Sequence, residues 1–352
     1  MNIKTKIAGI GKYIPDQVIS NDDLAKMMDT SDEWIQERTG IKERRYAKKH
    51  EETTTTMGAK AAAIAIERAG ISKEDVDFII FATLSPDYYF PGCAVLLQRE
   101  LGITHCEAGA LDIRNQCSGF VYGLSIADQF IKTGMYKNIL LIGAEMHSMG
   151  LDFTTEGRNV TVIFGDGAGA VVLQPTTDPN QGILTTHLHA DGTHAEELAM
   201  INPGSHGGKH LGKEQFGYPD ENTMGGVFVT QTMFDKGLAP NMNGQLVFKT
   251  AVVKFPEVIH KALSTVGLKP SDINMLVPHQ ANLRISGFVQ KSLGLGDHQV
   301  YNNIQRYGNT TAASIPIALC EAWEEGLIKN GDLVCLAAFG SGFTWGSALI
   351  RW

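Results

Sequence analysis

Phe164-Gly165-Asp166-Gly167 and Phe339-Gly340-Ser341-Gly342 are two similar stretches that stand far apart in the chain. Each follows a segment with helical spacing, a glycine and an apolar run typical of a strand. Chance is the alternative explanation, because glycine punctuates hairpins of many kinds. The shared order of elements favours an internal repeat. We therefore predict two similar halves, residues 1–175 and 176–352.

Helices alternate with apolar strands through both halves, which favours an α/β fold with mostly parallel central sheets covered by helices on both faces. In the first half, the patterns predict strands at 4–10, 77–83 and 138–144 and a hairpin-like segment at 160–174. They also predict a helix capped by Ser20, a helix at about 33–38 that ends at Gly40, and helices at about 55–70, at about 92–101 and from Cys117. In the second half, they predict helices at about 249–266, 282–293 and 311–326, strands at 273–277, 299–303 and 332–338, and a final hairpin. Residues 202–244 break this order and are interpreted as an insertion.

The composition excludes several classes of protein. With 352 residues, 43% hydrophobic and 19% charged, the chain has the composition of an enzyme-sized globular protein. Its apolar runs are too short to cross a bilayer and its first residues lack the apolar core of a signal peptide, so we expect a cytoplasmic protein. A net charge of −8 disfavours nucleic-acid binding. Five widely spaced cysteines without a CxxC pair indicate neither a disulfide framework nor a zinc site.

Cys117 lies in Asn115-Gln116-Cys117-Ser118-Gly119-Phe120, where an extended run ends and helical spacing begins. This position predicts a thiol at a helix N-terminus, where unpaired N–H groups and the helix dipole favour the thiolate. A buried, inert cysteine among small residues is the alternative. Cys117 is therefore a candidate nucleophile.

Two polar residues of the second half are candidates for the same site. His279, in Pro278-His279-Gln280-Ala281-Asn282, follows a predicted strand, and open α/β sheets bind ligands at the carboxyl ends of their strands. Asn309, in Tyr307-Gly308-Asn309-Thr310-Thr311-Ala312-Ala313-Ser314, is predicted to lie in a tight turn before a helix. A structural histidine and an ordinary turn asparagine are the alternatives. With Cys117, these residues form a candidate Cys, His and Asn set.

These segments resemble a known enzyme family. Cys117 in Cys-Ser-Gly-Phe, His279 in His-Gln-Ala-Asn, Asn309 in Gly-Asn-Thr and the stretch from Phe339 to Gly346 are similar to β-ketoacyl-[acyl carrier protein] synthase III, over about residues 7–352 apart from 202–244. The resemblance implies the thiolase fold, a five-layered α/β/α/β/α sandwich of two duplicated halves, usually as a homodimer. It also implies the initiation of fatty acid synthesis by a decarboxylating Claisen condensation of an acyl-CoA primer with malonyl-acyl carrier protein.

The resemblance implies a role for each residue of the set. Cys117 would carry the acyl group as a thioester, and backbone N–H groups of Cys117 and Ser341 would stabilise the oxyanion of acyl transfer. His279 and Asn309 would donate hydrogen bonds to the enolate that forms when the malonyl group loses carbon dioxide. This chemistry requires no metal and no cofactor, with acyl-CoA as a substrate.

Further positions match substrate-binding residues of the family. Those that match the coenzyme A and pantetheine site are Thr30, Trp34, Arg38, Arg158, Gly244, Phe248, Ala281 and Asn282, with Trp34 and Arg158 on the two faces of the adenine. Those that match the acyl pocket are Phe90, Met149, Phe164, Met242 and Phe339. Those that match a basic surface for the acidic carrier protein are Lys249, Arg284 and Lys291. For each position, a core aromatic or a solvated surface charge is the alternative.

The sequence departs from the family at several positions, so it does not predict which acyl group serves as the primer. Asp112-Ile113-Arg114-Asn115-Gln116 replaces small residues before the nucleophile, and Ser341 replaces a glycine. Residues 202–244, with the apolar patch Val227-Phe228-Val229, favour a flap over the tunnel, and a passive surface loop is the alternative.

Three other functions compete with this interpretation. A related Cys-His-Asn enzyme could use longer acyl thioesters in specialised metabolism. A panel of acyl donors would distinguish it from a synthase III that initiates fatty acid synthesis. A non-catalytic partner subunit is disfavoured by the retained Cys117, and a cysteine hydrolase by the amide context of Asn309. A metal site is disfavoured by the irregular spacing of the histidines at 187, 189, 194, 206 and 210.

Overall fold

The computed structural model describes residues 3–103, 107–200 and 240–352. Most of the predicted insertion at 202–244 lies outside the described residues, together with Cys106, His206 and His210. The expectation of a flap at Val227-Phe228-Val229 also falls outside them and stays a prediction.

The first half of the chain forms a five-stranded sheet. Its elements are, in chain order, β1 (Lys4–Tyr13), β2 (Gln17–Ser20), α1 (Asn21–Ala25), α2 (Asp32–Thr39), β3 (Glu43–Tyr46), α3 (Thr54–Ala69), β4 (Phe78–Ala82), α4 (Cys93–Glu100), β5 (Gly109–Ile113), α5 (Gly119–Lys132), β6 (Ile139–Glu145), α6 (Arg158–Thr161) and β7 (Gly167–Thr176). The strand order is β1-β7-β6-β4-β5. Strand β4 is parallel to β5 and β6, whereas β7 is antiparallel to β6 and β1.

The second half forms a four-stranded sheet in the order β11-β12-β13-β8. Its elements are β8 (Gly182–Ala190), β9 (Leu198–Ala199), β10 (Asn241–Met242), α7 (Gly244–Thr265), β11 (Met275–Pro278), α8 (Leu283–Leu293), α9 (Ile304–Tyr307), α10 (Ser314–Glu324), β12 (Leu333–Gly340) and β13 (Thr344–Arg351). Strands β8, β13, β12 and β11 repeat the order and directions of β1, β7, β6 and β4. The duplication predicted from the glycine-rich stretches is therefore confirmed.

Helices form three layers around the two sheets. Helices α5 and α10 lie between the sheets, α3 and α4 cover the outer face of the first sheet, and α7 and α8 cover the second. Alternate side chains along each strand serve different layers: Ile80 packs in the central core with Phe120 of α5, and Phe81 packs outward in the core that contains Met57 of α3. This is the predicted five-layered sandwich. Within the described residues, no helix combines the length and apolarity of a membrane span.

Local sequence patterns correctly predicted two helix ends, the start of α1 and the end of α2. The Ser20 side chain accepts a hydrogen bond from the N–H of Asp23, and the Asp23 carboxylate accepts one from the N–H of Ser20, so the predicted capping of α1 is confirmed. Helix α2 ends at Gly40, which has φ 80°. Because an L side chain is strained at that angle, the glycine ends the helix as predicted.

Three expectations about strands were wrong. The sheets are mixed rather than mostly parallel, since β7 and β13 each run antiparallel to both neighbours. The segment 160–174 is not a hairpin, because both edges of β7 are already paired with β1 and β6. The segment 299–303 is not a strand: it contributes one parallel bridge, between Val300 and Leu276, at the place that β5 occupies in the first sheet.

Candidate active site

Cys117 lies in the short 3-10 turn Gln116–Ser118 that joins β5 to α5, so its predicted position at a helix N-terminus is confirmed. The preceding residue, Gln116, has φ 44°, in the left-handed region that non-glycine residues seldom adopt. The turn therefore stores backbone strain directly before the candidate nucleophile. Cys117 itself is buried, with 8% of its surface exposed.

Gly340, the last residue of β12, packs directly against Cys117. A Cβ atom at position 340 would lie 2.5 Å from the Cβ of Cys117 and 2.9 Å from its Sγ. No side chain fits in that space, so a glycine is required here. The backbone N–H groups of Cys117 and Ser341 lie close enough to the thiol to lower its pKa. They are the two donors that the sequence predicted for the oxyanion.

Burial raises the pKa of Cys117 to about 12, and the nearby Glu145 carboxylate raises it as well. The two N–H groups lower the pKa but do not outweigh these effects. The expectation of a resident thiolate is therefore wrong, because the helix N-terminus acts on a thiol that is removed from water. At neutral pH the resting group is the thiol.

Glu145, the last residue of β6, lies beneath the site and was missed by the sequence analysis. Its buried carboxylate accepts hydrogen bonds from Ser85 Oγ at 2.6 Å, Thr83 Oγ1 at 3.1 Å and the N–H of Ala312 at 3.4 Å. Burial raises the pKa of Glu145 to about 7. The residue thus joins the end of β4 to the turn that follows Asn309, with a charge that changes near neutral pH.

His279 follows β11 and is buried. Its Nδ1 lies 2.7 Å from Ser314 Oγ, at the first residue of α10. The same oxygen accepts the N–H of Gln280 at 3.4 Å. Burial lowers the pKa of His279 to about 3, so the ring is neutral. Its buried Nε2 has no hydrogen-bond partner among the described residues. This nitrogen carries the ring hydrogen in the tautomer in which Nδ1 accepts from Ser314.

Asn309 is held by backbone and side chain together. Its N–H donates to Ile163 O at 2.8 Å, and its carbonyl oxygen accepts the N–H of Gly165 at 3.1 Å. Its Oδ1 accepts the N–H of Thr311 at 2.8 Å. Because the oxygen of the amide is occupied in this way, the Nδ2 group is the end of the side chain that remains to donate to a ligand.

Each glycine-rich stretch packs against a candidate catalytic turn of the opposite half. Gly340 of the second half packs on Cys117 of the first, and Gly165 of the first half packs on the turn of Asn309 in the second, where an added Cβ would lie 2.2 Å from Tyr307 O. The Cys117 turn also contacts the 3-10 turn Thr311–Ala313, which lies between Asn309 and Ser314. The fold therefore brings the predicted Cys, His and Asn turns together.

Known proteins resemble this chain along its whole length. Models of 3-oxoacyl-[acyl-carrier-protein] synthase III match residues 111–192, and models of its C-terminal part match residues 263–352. The β-ketoacyl-[acyl-carrier-protein] synthase III of Rhodospirillum centenum is 45% identical over 355 residues, covering 100% of both chains. The chain belongs to the β-ketoacyl-[acyl-carrier-protein] synthase III family. It is thus an acyltransferase of the condensing type, with the fold and pathway that the resemblance implied.

Two further relatives support membership in the synthase III family. The enzyme of Yersinia pseudotuberculosis is 46% identical over 347 residues and covers 99% of each chain. The crystal structure of the synthase III from Aquifex aeolicus is 43% identical, covers 99% of this chain and 100% of its own, and superposes with a TM-score of 0.86. The described residues therefore have the fold of the synthase III enzymes.

The positions that match the adenine site of synthase III lie next to one another. The guanidinium of Arg158 lies 5.4 Å from the centroid of the Trp34 ring, and that of Arg38 lies 4.5 Å from it. An adenine between two stacking groups needs a gap of about 7 Å, twice an optimal carbon contact, so Arg158 would have to move outward. Trp34 also packs against the small core that contains Ile35, the alternative role considered from the sequence. Thr30 has a buried hydroxyl without a partner among the described residues.

The remaining tunnel positions lie at the start of α7 and α8. Gly244 begins α7, and apart from its chain neighbours and its own helix backbone no described residue lies within 4 Å of the place that a Cβ would take there. Phe248, one turn further, lies 5.6 Å below the guanidinium of Arg284. Asn282 caps α8 and donates through Nδ2 to Arg38 O at 2.9 Å, which links it to the adenine positions. Ala281, beside it, is partly exposed.

The acyl-pocket positions divide into two groups. Phe339 is buried, Phe164 is partly buried, and Met242 pairs with Leu198, whose carbonyl accepts the Ser341 hydroxyl. Phe90 and Met149, in contrast, are 81% and 60% exposed. Within this single chain their side chains face solvent, so the match of Phe90 and Met149 to the acyl pocket stays a prediction.

The departures from the family have structural explanations. Asp112 accepts hydrogen bonds from the N–H groups of Cys93 and Ala94 and so caps α4, whose N-terminal Gly92 offers no side chain. The Ser341 side chain bonds to Leu198 O, which leaves its N–H at the thiol. The Asp112 and Ser341 side chains therefore both bond away from the Cys117 thiol.

The histidines outside the catalytic set take part in packing. His187 lies 3.1 Å from Thr265 Oγ1, and His189 stacks on Trp345 with ring centroids 5.5 Å apart. Within residues 3–103, 107–200 and 240–352, no cluster of three or more metal-ligating side chains is present.

Proposed function

We propose that the protein condenses an acyl-CoA primer with malonyl-acyl carrier protein through an acyl-Cys117 intermediate. In the first step, Cys117 Sγ attacks the thioester carbon, the bond from that carbon to the coenzyme A sulfur breaks, and the thiol proton passes to the departing sulfur. Since burial keeps Cys117 protonated, proton loss accompanies attack rather than preceding it. The N–H groups of Cys117 and Ser341 support the oxyanion of this step.

The second step uses the other two residues. Malonyl-carrier protein loses carbon dioxide, and the electrons of the broken bond form an enolate. The enolate oxygen accepts hydrogen bonds from His279 Nε2 and Asn309 Nδ2, and the enolate carbon then attacks acyl-Cys117. The Cys117 sulfur leaves and regains a proton. The observation that carries this proposal is the buried, neutral His279 with an unpartnered Nε2 among the described residues, since an enolate needs preorganised donors.

Lys249, Arg284 and Lys291 form the proposed carrier-protein dock. All three are exposed, on the adjacent helices α7 and α8, and no carboxylate of the described residues lies within ion-pair distance of them. Arg284, Phe288 and Lys291 follow the i, i+4, i+7 spacing of one helix face, and Phe288 is 48% exposed. A basic face with an apolar centre suits an acidic partner, although the enzyme as a whole is acidic.

A homodimer is also part of the proposal. Tyr88, Tyr89 and Phe90 are 51%, 57% and 81% exposed, and adjoining exposed aromatics mark protein interfaces. If Phe90 lines an acyl pocket, that pocket belongs to a second copy of the chain. Free cysteines at 93, 117, 320 and 335 support a reducing compartment, the cytoplasm.

The test of the first step is intact-protein mass after incubation with acyl-CoAs of increasing chain length and branching. We expect one acyl group per chain on Cys117, none on Cys117→Ala, and loss of the added mass when malonyl-carrier protein is supplied. The acyl groups that load identify the primer class and separate a short-chain synthase III from a relative for longer thioesters. An acyl group that loads but does not leave with malonyl-carrier protein would contradict condensation.

A further inference from the structure

Thr311 has a backbone conformation that is unfavourable for its type. Its φ is 48°, in the left-handed region, where a β-branched residue is a genuine outlier. Such strain persists only where neighbouring groups hold it, and it concentrates at functional sites. The N–H of Thr311 donates to Asn309 Oδ1 at 2.8 Å. The conformation of Thr311 therefore determines where the Asn309 amide points.

His147 supplies the side-chain partner of Thr311. Its Nε2 lies 2.7 Å from Thr311 Oγ1, although 164 residues separate the two in the chain. His147 is buried, and its ring lies 4.7 Å from that of Phe164 at a tilt of 40°. Asp166 anchors the next residue, accepting the N–H of Ser148 at 3.0 Å. The ring contact with Phe164 and the hydrogen bond of the neighbouring Ser148 therefore hold the imidazole in position beside Thr311.

The Thr311 turn has a second support, which is weaker. The N–H of Ala312 donates to Glu145 Oε1 at 3.4 Å, near the limit for a hydrogen bond. The hydrogen bond between His147 and the Thr311 side chain, at 2.7 Å, is shorter than the contact between Ala312 and Glu145. None of the three proposed catalytic residues supplies it.

We propose that His147 is a positioning residue: its hydrogen bond holds Thr311 in the left-handed conformation, which in turn orients the Asn309 amide toward the enolate. This inference rests on the proposed function of Asn309. His147 acts through Thr311 and does not touch the reacting atoms. It follows that His147 supports decarboxylation and condensation but not acyl loading on Cys117.

A different role for His147 is a wall of the acyl pocket, because it contacts Phe164. The two roles give opposite results. A wall residue changes which acyl groups load on Cys117 and leaves malonyl decarboxylation alone. A positioning residue changes decarboxylation and leaves the ranking of acyl donors alone.

The experiment measures two rates for each variant: acyl loading by intact mass, and carbon dioxide release from malonyl-carrier protein. We expect His147→Leu to load acyl groups normally and to lose roughly tenfold to hundredfold in carbon dioxide release, as expected for a displaced catalytic group. His147→Gln keeps a side chain that can donate or accept a hydrogen bond and should retain most of the rate. Thr311→Val, which keeps the shape but removes the hydroxyl, should behave as His147→Leu, and Thr311→Ser should behave as the wild type.

The decisive control places His147→Leu in a Thr311→Gly background. Glycine adopts the left-handed region without strain, so the second substitution should then cost little further activity. An equal loss in both backgrounds would overturn the proposal, as would equal losses of loading and carbon dioxide release in His147→Leu. If that variant does not fold, Thr311→Val against Thr311→Ser decides. If the wild type itself releases no carbon dioxide, the proposed function has failed instead.

Discussion

Ser314 Oγ lies 2.7 Å from Nδ1 of His279, so a hydrogen bond links the two buried side chains. The same serine oxygen accepts the Gln280 N–H. The proposed function requires the serine hydroxyl to donate to Nδ1, because His279 then donates from Nε2, where the enolate would form. A side chain outside the predicted set would thus decide whether the histidine donates to that oxygen or repels it.

Ser314→Ala should lower carbon dioxide release from malonyl-carrier protein about tenfold, the effect of losing one orienting hydrogen bond, and leave acyl loading unchanged. A matched control is Ser286→Ala, a buried serine whose hydroxyl has no partner among the described residues. That variant should keep both rates. If the two variants behave alike, the loss at Ser314 reflects packing rather than the His279 tautomer.

Cys117→Ala should abolish condensation and retain some decarboxylation, because the enolate donors are intact. His279→Ala and Asn309→Ala should do the reverse and lose about a hundredfold to a thousandfold in the second step, as for removal of an oxyanion donor. Loading is measured by intact mass and decarboxylation by carbon dioxide release. Failure of loading in the His279 and Asn309 variants would show that the two steps do not divide between these residues.

Gly340→Ala and Gly165→Ala should damage different steps, since each glycine packs on the turn of the opposite half. The first substitution pushes on Cys117 and should reduce acyl loading roughly a hundredfold. The second pushes on the turn of Asn309 and should reduce carbon dioxide release while loading persists. Gly192→Ala is the control, because apart from its neighbours along the chain no atom of the described residues lies within 4 Å of an added Cβ there. Equal damage to both steps by both variants would contradict this assignment.

Glu145→Gln should make Cys117 more reactive toward iodoacetamide, and the gain should depend on pH. Glu145 has a pKa of about 7, so above that pH the wild type gains a negative charge that disfavours the thiolate. The two proteins should react similarly near about pH 6 and differ about tenfold near about pH 8.5, since a neighbouring charge shifts a pKa by about one unit or more. Melting temperatures verify that the variant is folded. A difference independent of pH would rule out the charge of Glu145 as the cause.

Arg284→Glu should raise the Michaelis constant for malonyl-carrier protein, with a defect that shrinks as salt screens the interaction. Activity with a small malonyl-pantetheine substrate should stay near normal. Lys329→Glu, the same charge change at an exposed residue near the start of β12, is the control. A comparable loss with the small substrate would place Arg284 in the tunnel rather than on a docking surface.

The features predicted from the sequence are those with local causes. Ser20 caps α1 and Gly40 ends α2 because the cap lies within a few residues of the helix. The position of Cys117 followed from the onset of helical spacing, and the repeat from two glycine-rich stretches.

The features that were missed depend on distant residues. Burial of Cys117 comes from packing against Gly340, so the sequence indicated only the helix N-terminus and predicted the wrong ionisation state. The bond from His147 to Thr311 joins positions 164 residues apart, and nothing local marks either one. Ser314 lay within the segment considered for Asn309, yet only the fold places it beside His279.

The crosswise packing of Gly165 and Gly340 limits how this chain can change over generations of mutation. An insertion in one glycine-rich stretch would displace the turn of Cys117 or of Asn309 in the other half, although the two segments are far apart in the sequence. Tolerated changes must therefore arise as pairs that span the halves. If one half were replaced by that of a relative, its glycine-rich stretch would no longer match the turn of the other half. Hybrids joined between β7 and β8 should therefore lose activity before they lose the ability to fold.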